Sequence, residues 1–270
     1  MPVSKLKNLA ILILLLANMA LLCLLVPRQY SQHNRQEELE RSLTDLCAAQ
    51  NVVLAPDCVP QTLSLYTLEL TDNNAAEDEI LTRLLGQAPV REDRQLQTQS
   101  GEKLGSWENG TINLQLQGRR EVSDFRAATK RLLKKLDFQI WTLSSPVRLS
   151  PGIFTVTAQQ SILGVPVYSN GLTLTYDNSA LEKLEGDFFS GTLTRTDDTV
   201  CCSAAEAVVS FLAERVELGW VGSTIKGLQQ GYLPAEAAGS ALRLVPVWLL
   251  STDTGSFYVN ALTGMVTQIS

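Results

Sequence analysis

The chain has 270 residues, a length that suits two domains and a sizeable hydrophobic core. Its 28 acidic and 22 basic residues give a net charge of −6, and such a surface is repelled by nucleic acid and by anionic headgroups. The only histidine, His33, stands near the start of the chain. Catalytic triads and histidine-bearing zinc sites are therefore not expected in its body.

Residues 8–26 form a stretch of 19 residues without a charge, preceded by Lys5 and Lys7 and followed by Pro27 and Arg28. A helix rises about 1.5 Å per residue, so this stretch just crosses a hydrocarbon core of roughly 30 Å. The pattern predicts one membrane span. A cleaved signal peptide is the less favoured alternative, because leucines continue up to Val26 without a small-x-small site. Lipid attachment at Cys23 is less favoured still, because Leu22 precedes it.

The cations near the span do not decide its orientation, since two precede it and three follow it closely, namely Arg28, Arg35 and Arg41. A head of seven residues is too short for a domain, and no second apolar stretch follows. We therefore expect a single-pass protein of the cell membrane, with its N-terminus cytoplasmic and the bulk of the chain outside. The exported part would carry 28 acidic and 20 basic residues.

One polar residue, Asn18, falls near the centre of the predicted span. A membrane-buried amide without a partner is costly, and Ala10, Ala17 and Ala20 offer small surfaces for close helix approach. These four residues are the candidate contacts with another membrane helix. A hydrogen bond from Asn18 to its own helix is an equally good alternative at this stage.

After the span, Leu39, Leu43 and Leu46 have helical spacing. They predict a stalk that continues the membrane helix, or a helix that docks on the first domain. Alternating apolar residues then predict a strand in residues 62–70, and a short helix ends at Gly86. Asn109–Gly110 predicts a type I′ hairpin turn.

Two further helices are each followed by strands. The first, in residues 121–138, has a basic face, which either binds a phosphate-bearing partner or is simply solvated, the interpretation we favour. The second opens with a capping box, Ser203 with Glu206, and ends at Gly219. The basic face comprises Arg126, Lys130, Arg131, Lys134 and Lys135.

The strands after these helices resemble each other. Residues 165–186 and the stretch that starts at Val245 align with one gap, VPVY against VPVW, and in the first copy Leu172, Leu174 and Tyr176 alternate with threonines. This alternation predicts a sheet with one wet face. Pro166 and Pro246 suggest strand starts or edges, since proline cannot donate to a ladder.

The predicted fold class is therefore α+β, a single N-terminal transmembrane helix followed by repeated units of a helix packed on a curled antiparallel sheet. The expected regions are 1–30, the head and span; 31–118, the stalk helix and a first α+β region; 119–198, the first repeat; and 199–270, the second repeat.

Residues suited to catalysis, metal binding or cofactor binding do not cluster in this sequence. Cys47, Cys58, Cys201 and Cys202 are interpreted as buried or free thiols, although a bridge between Cys47 and Cys58 stays open. Acidic pairs fall on predicted helix surfaces or turns, glycines form no phosphate-binding motif, and the four tryptophans suit a core. We expect neither an enzyme nor a cofactor.

The head SKLKNLAILILLLANMALL, the internal GVPVYSNGLTLTYDNSALEKLEG and the ending from Gly231 to Gly264 resemble the YycH/YycI family of bacterial regulators, on the YycI side. The ending is also similar to PepSY-type modules. The resemblance implies a non-enzymatic extracytoplasmic regulator that pairs with a YycH-like partner protein. It also implies association with a sensor histidine kinase of a cell-wall-related two-component system. Val3 and the cysteines depart from the family pattern.

Overall fold

The computed structural model describes residues 38, 40–60, 63–71, 74–92, 95–116, 122–196, 201–236 and 242–269. Within these ranges the chain forms helices and antiparallel sheets, as the predicted α+β class requires. The helices are α1 (40–49), α2 (Asn74–Leu85), α3 (Phe125–Lys135) and α4 (Ala204–Glu214). None of them is both long and apolar enough to cross a bilayer. The predicted span lies outside the described residues.

A seven-stranded sheet contains the last part of the chain and two strands from near its beginning. Its path runs β1-β14-β15-β16-β17, and β2 pairs with both β13 and β15. The pairing is antiparallel except between β1 and β14. The strands are β1 (Val53–Leu54), β2 (Leu68–Thr71), β13 (Thr192–Arg195), β14 (Thr224–Glu236), β15 (Leu242–Thr252), β16 (Ser256–Asn260) and β17 (Val266–Gln268).

A ten-stranded antiparallel sheet is built from the middle of the chain, in the order β10-β9-β11-β12-β6-β5-β4-β3, with β7 and β8 also beside β9. The strands are β3 (Val90–Glu92), β4 (Gln95–Gln97), β5 (Lys103–Glu108), β6 (Thr111–Gln115), β7 (Ile140–Leu143), β8 (Val147–Ser150), β9 (Ile153–Ile162), β10 (Val165–Pro166), β11 (Leu172–Asp177) and β12 (Ala180–Asp187).

These pairings divide the chain into two lobes. The C-terminal lobe combines residues 40–71 with residues 192–269, and its core holds side chains of α1 and α4 together with Ile162, Val165 and Val167 from the neighbouring lobe. The inserted lobe, residues 74–188, has its own core, to which α2 and α3 contribute. This grouping differs from the expected regions 31–118, 119–198 and 199–270, because strands 171 residues apart, such as β1 and β14 at Val53 and Thr224, pair directly.

Local patterns agree with the sequence-based expectations. Glu108 pairs with Thr111 across a turn in which Asn109 and Gly110 both have positive φ, at 49° and 74°. The hairpin prediction is therefore confirmed. The wet face is confirmed as well, since β11 is buried at alternate positions and Thr157 and Thr173 share a hydrogen bond of 3.1 Å on the other face.

The two VPV segments do not occupy equivalent places. Val165–Pro166 is a two-residue strand, whereas Pro246 lies inside the eleven-residue strand β15. The suggestion that Pro246 marks a strand start or edge is therefore wrong. Its position is tolerated because β2 pairs with β15 up to Leu244 and β16 pairs from Val247 onward, so the missing donor falls at the seam between these two neighbours.

The lobes meet where β10 approaches β14. Val167 bridges Tyr232 in parallel, and the Tyr168 amide donates to the Tyr232 carbonyl at 2.7 Å. Gly231 permits this approach, because a Cβ there would lie 2.6 Å from the Pro166 carbonyl oxygen. The hydrogen bonds join the two sheets through the backbone, so the lobes are joined by more than a linker.

The predicted capping box at the start of α4 is confirmed. Ser203 Oγ accepts from the Glu206 amide at 3.3 Å, and a Glu206 carboxylate oxygen accepts from the Ser203 amide at 2.6 Å. The helix itself ends at Glu214, and Gly219 closes the turn residues that follow with φ of 65°. The hydrogen bonds from the Ser203 backbone and then its side chain lower the pKa of Glu206 below its usual 4.5.

A charge-removing substitution at this cap has an expected pH dependence. Because folding lowers the Glu206 pKa, the carboxylate stabilises the protein above about pH 4.5, and this contribution is lost as the pH falls through the folded-state pKa. Glu206→Gln keeps an acceptor, so at pH 7 it should cost only about 0.5 kcal/mol at this exposed helix end. Urea unfolding of the wild-type and Glu206→Gln proteins between pH 7 and pH 3.5 should show that the difference between their free energies of unfolding shrinks as the pH falls. A difference that stays constant would contradict this prediction.

Candidate functional site

The predicted contact residues Ala10, Ala17, Asn18 and Ala20 all lie outside the described residues. The part of the chain that the structure describes instead offers a cavity in the inserted lobe. It lies between α2, α3 and the β4–β5, β6 and β11–β12 segments of the sheet, and its volume is about 610 Å³. We name this cavity the α2–α3 chamber.

The floor of the chamber is apolar and buried. Leu85, Leu104 and Tyr176 are 8%, 5% and 2% exposed, and all three line it. Further apolar lining comes from both helices and from the sheet, namely from Leu84, Leu116, Val122, Ala128, Leu132 and Leu181. A ligand that enters this space would exchange water for aliphatic side chains.

One face of α3 forms a wall of the chamber. Ala128, Arg131, Leu132 and Lys135 line it, at spacings of three, four and seven residues. Residues so spaced share one face of a helix. Ala128 leaves room where a larger side chain would fill the space. The Asp124 side chain accepts from the Ala127 amide and fixes where the helix begins.

Buried contacts hold this wall against the sheet. Thr129 and Tyr176 share a buried hydrogen bond of 2.8 Å between their hydroxyl oxygens. Phe125 stacks on Phe154 with ring centroids 4.7 Å apart. Burial raises the pKa of Tyr176, so the phenol stays neutral at physiological pH. The chamber is therefore bounded by a fixed helix, which favours a preformed cavity.

The mouth of the chamber carries charge. Arg131 and Lys135 are exposed on the helix side, and Glu102 is exposed beside β5. Lys135 Nζ donates to the Arg83 carbonyl at 2.6 Å, and Arg131 Nε donates to the Ala127 carbonyl at 3.3 Å. Neither cation forms an ion pair with a carboxylate of the described residues.

The basic face of α3 was identified from the sequence, but the chamber was not. All five cations of that face are exposed, as the favoured interpretation of a solvated face requires, and two of them also reach the chamber. The small residue Ala128 among longer side chains at helical spacing was the available signal. It could not be used, because the sequence does not show what lies opposite.

The four described cysteines are free thiols, so the open alternative of a bridge between Cys47 and Cys58 is not realised. Burial raises the pKa of Cys58 and of Cys202 to about 11, and thiols with such pKa values are poor nucleophiles. Trp107 and Trp248 are buried in the two cores, as predicted, and Trp220 is half-buried, whereas Trp141 is 39% exposed. Within the described ranges, no three His, Cys, Asp or Glu side chains cluster as metal ligands would.

This α+β chain is distantly similar to solved structures. No family model matches the sequence, and no curated protein matches it. Among solved structures, it is similar to an uncharacterized protein from Eubacterium rectale, with 10% identity, a TM-score of 0.43, and coverage of 81% of this chain and 90% of that chain. It is also similar to the YpeB C-terminal domain of Bacillus megaterium, with 12% identity, a TM-score of 0.37, and coverage of 74% and 99%.

Both TM-scores are below 0.5, so these likenesses do not assign the chain to a family or an activity. The YycH/YycI and PepSY-like resemblance therefore stays a prediction.

Proposed function

We propose that this chain is a non-enzymatic, membrane-anchored extracytoplasmic regulator. It modulates a sensor histidine kinase of a cell-wall-related two-component system, together with a YycH-like partner, through contacts of its span and its exported lobes. The sequence resemblance supplies the partner class. The described structure supplies a physical reason why a span and an exported lobe would act together.

That reason is the docking of α1. Leu43 is 4% exposed and Cys47 is fully buried, and both belong to the core of the C-terminal lobe. Only 13 residues, 27–39, separate the predicted span from this helix. Even fully extended they reach about 45 Å. The C-terminal lobe therefore lies within about 45 Å of the predicted span. A regulator that contacts a kinase both within the bilayer and outside it needs such a short connection.

Such a regulator needs only modest interaction energies. For a kinase that exchanges between two states, a contact that favours one state by about 1–3 kcal/mol changes the equilibrium constant between the states about 5- to 150-fold. A single hydrogen bond from Asn18 to a neighbouring span falls near the lower end of that range. The sign of regulation depends on which kinase state the contact favours.

The test exchanges the span and keeps the lobes. Residues 8–26 are replaced by an unrelated membrane helix, and kinase-dependent transcription and co-purification of the kinase are measured in cells. We expect both to fall to the level of a deletion strain, and Asn18→Leu to reduce both in part. Leu16→Ile, two positions away in the same span, is the matched control. Full activity of the exchanged protein would refute the proposal.

A second candidate function is a binding module, as the PepSY-like resemblance implies, that holds a peptide or inhibits an extracytoplasmic peptidase. The α2–α3 chamber favours it, since its volume of about 610 Å³ lies within the usual size range of ligand pockets. This function predicts that the fragment from Ser31 onward is active without the span. The regulator hypothesis predicts that this fragment is inactive.

A further inference from the structure

We propose that the α2–α3 chamber binds an amphipathic anion, an aliphatic chain that ends in a phosphate or a carboxylate. The proposal deepens the second candidate function by naming a ligand class. It does not depend on contacts of the predicted span.

The chamber is bounded below by buried leucines and by Tyr176, and along one side by Ala128 and Leu132. The Tyr176 hydroxyl is already bonded to Thr129. Thr98 and Ser123 also line the chamber, and the Thr98 hydroxyl is hydrogen-bonded to Ser100. The leucine side chains of the floor offer apolar contact, which suits a methylene chain better than a polar ligand.

Arg131 and Lys135 lie one helical turn apart on the same face of α3, at the exposed end of the chamber. Both side chains donate to backbone carbonyls, and neither forms an ion pair with a carboxylate of the described residues. A guanidinium can bind a phosphate or a carboxylate with two parallel hydrogen bonds. These cations stand out on a chain whose net charge is −6.

Glu102 is the one acidic side chain among the described residues that line the chamber. It approaches from the sheet side, next to β5, whereas both cations belong to the helix. Among these described residues, a head group held near α3 meets two positive charges and one negative charge. An anionic head group is therefore preferred to a cationic one, and a chamber that prefers a cationic head group because of Glu102 would contradict the proposal.

The experiment uses the full-length protein in phosphatidylcholine nanodiscs and radiolabelled octyl phosphate in equilibrium dialysis, with empty nanodiscs subtracted. We expect saturable binding of about one molecule per chain. Octanoate should compete, because it shares the chain and the negative head. Octyl glucoside and octyl trimethylammonium, which carry neutral and cationic heads, should compete at least about tenfold less well.

Matched variants assign the binding to the chamber. Arg131→Gln should weaken octyl phosphate about tenfold, whereas Lys134→Gln, three positions along the same helix and outside the chamber lining, should leave it unchanged. Ala128→Leu keeps helix propensity and fills the space, so saturable binding should disappear while the melting temperature is maintained.

Several results would overturn the proposal. These are an absence of saturable binding, equal competition by the neutral or cationic amphiphile, or equal effects of Arg131→Gln and Lys134→Gln. Tighter binding of the uncharged peptide acetyl-Leu-Leu-Leu-amide than of octyl phosphate would assign the chamber to a peptide instead. That last result would keep the binding-module function and reject only the ligand class, and none of these results bears on the span exchange.

Discussion

Gly186→Ala should lower the melting temperature of the full-length protein by roughly 6–20 °C, which corresponds to about 3–5 kcal/mol in a chain of this size. Gly186 lies in β12 with φ of 117°, a conformation that side chains rarely adopt. A Cβ there would stand 2.1 Å from the Gly171 carbonyl oxygen, and a backbone atom cannot rotate away. Strain in φ alone contributes about 1–3 kcal/mol, and the clash adds to it.

The position of Gly186 in the sheet makes it difficult for the backbone to move and relieve the clash of an added Cβ. It pairs with Leu172 on one side and with Ile112 on the other, so β12 is flanked by β11 and β6 within the ten-stranded sheet. Moving it would disturb both neighbours. Tryptophan fluorescence during heating in nanodiscs measures the effect.

The control is Gly227→Ala in β14, where a Cβ would meet no atom within 4 Å. It should be neutral, or stabilise by up to about 1 kcal/mol. Equal melting temperatures for the two variants would show that the approach of β12 to Gly171 is not as close as described.

Trp248→Ala should destabilise the protein by about 3–5 kcal/mol, since it removes a large buried ring from a packed core. Trp248 is fully buried in the C-terminal lobe, in the middle of β15, and its indole N–H donates to the Cys202 carbonyl at 3.0 Å. The carbonyl precedes α4, so the substitution also loosens the helix from the sheet. Thermal unfolding in nanodiscs, followed by circular dichroism, provides the measurement.

Two variants separate the causes. Trp248→Phe keeps much of the ring but loses the hydrogen bond, so it should cost about 1–3 kcal/mol. Trp141→Ala removes a tryptophan that is 39% exposed on β7 and should cost clearly less than Trp248→Ala. If Trp141→Ala is as harmful as Trp248→Ala, the assignment of Trp248 to the main core of that lobe is wrong.

Local features of this fold could be predicted because the residues that cause them lie within short segments. The Asn109–Gly110 turn needs two residues that accept positive φ, and the Ser203–Glu206 capping box needs only four consecutive residues. The wet face of β11 follows from the alternation of apolar residues and threonines. None of these depends on what a distant segment does.

The grouping into lobes could not be predicted in the same way. β2 pairs with β15 through Leu70 and Leu242, and nothing in either short strand specifies a partner so far along the chain. The similarity of the two VPV segments favoured consecutive repeats, yet they lie in strands of very different length. Similar strand sequences indicate similar burial rather than an equivalent place in a sheet.

The candidate site, like the fold, could be predicted from the sequence only in part. The helical spacing of Ala128, Arg131 and Lys135 is readable from the sequence, whereas the opposite wall depends on β4, β5, β11 and β12 meeting in one sheet. Tyr176 was predicted to face the apolar side, and it does. The Tyr176 ring borders a cavity because of the way α3 packs against the sheet, which the sequence does not show.

The interruption of the C-terminal lobe by residues 74–188 bears on the order in which the chain can fold. During synthesis from the N-terminus, Leu43 and Cys47 of α1 emerge long before α4 and β14–β16, whose side chains share a core with them. All strands of the inserted lobe are synthesised before β14–β17. The core of the C-terminal lobe can therefore close only after nearly the whole chain has been made.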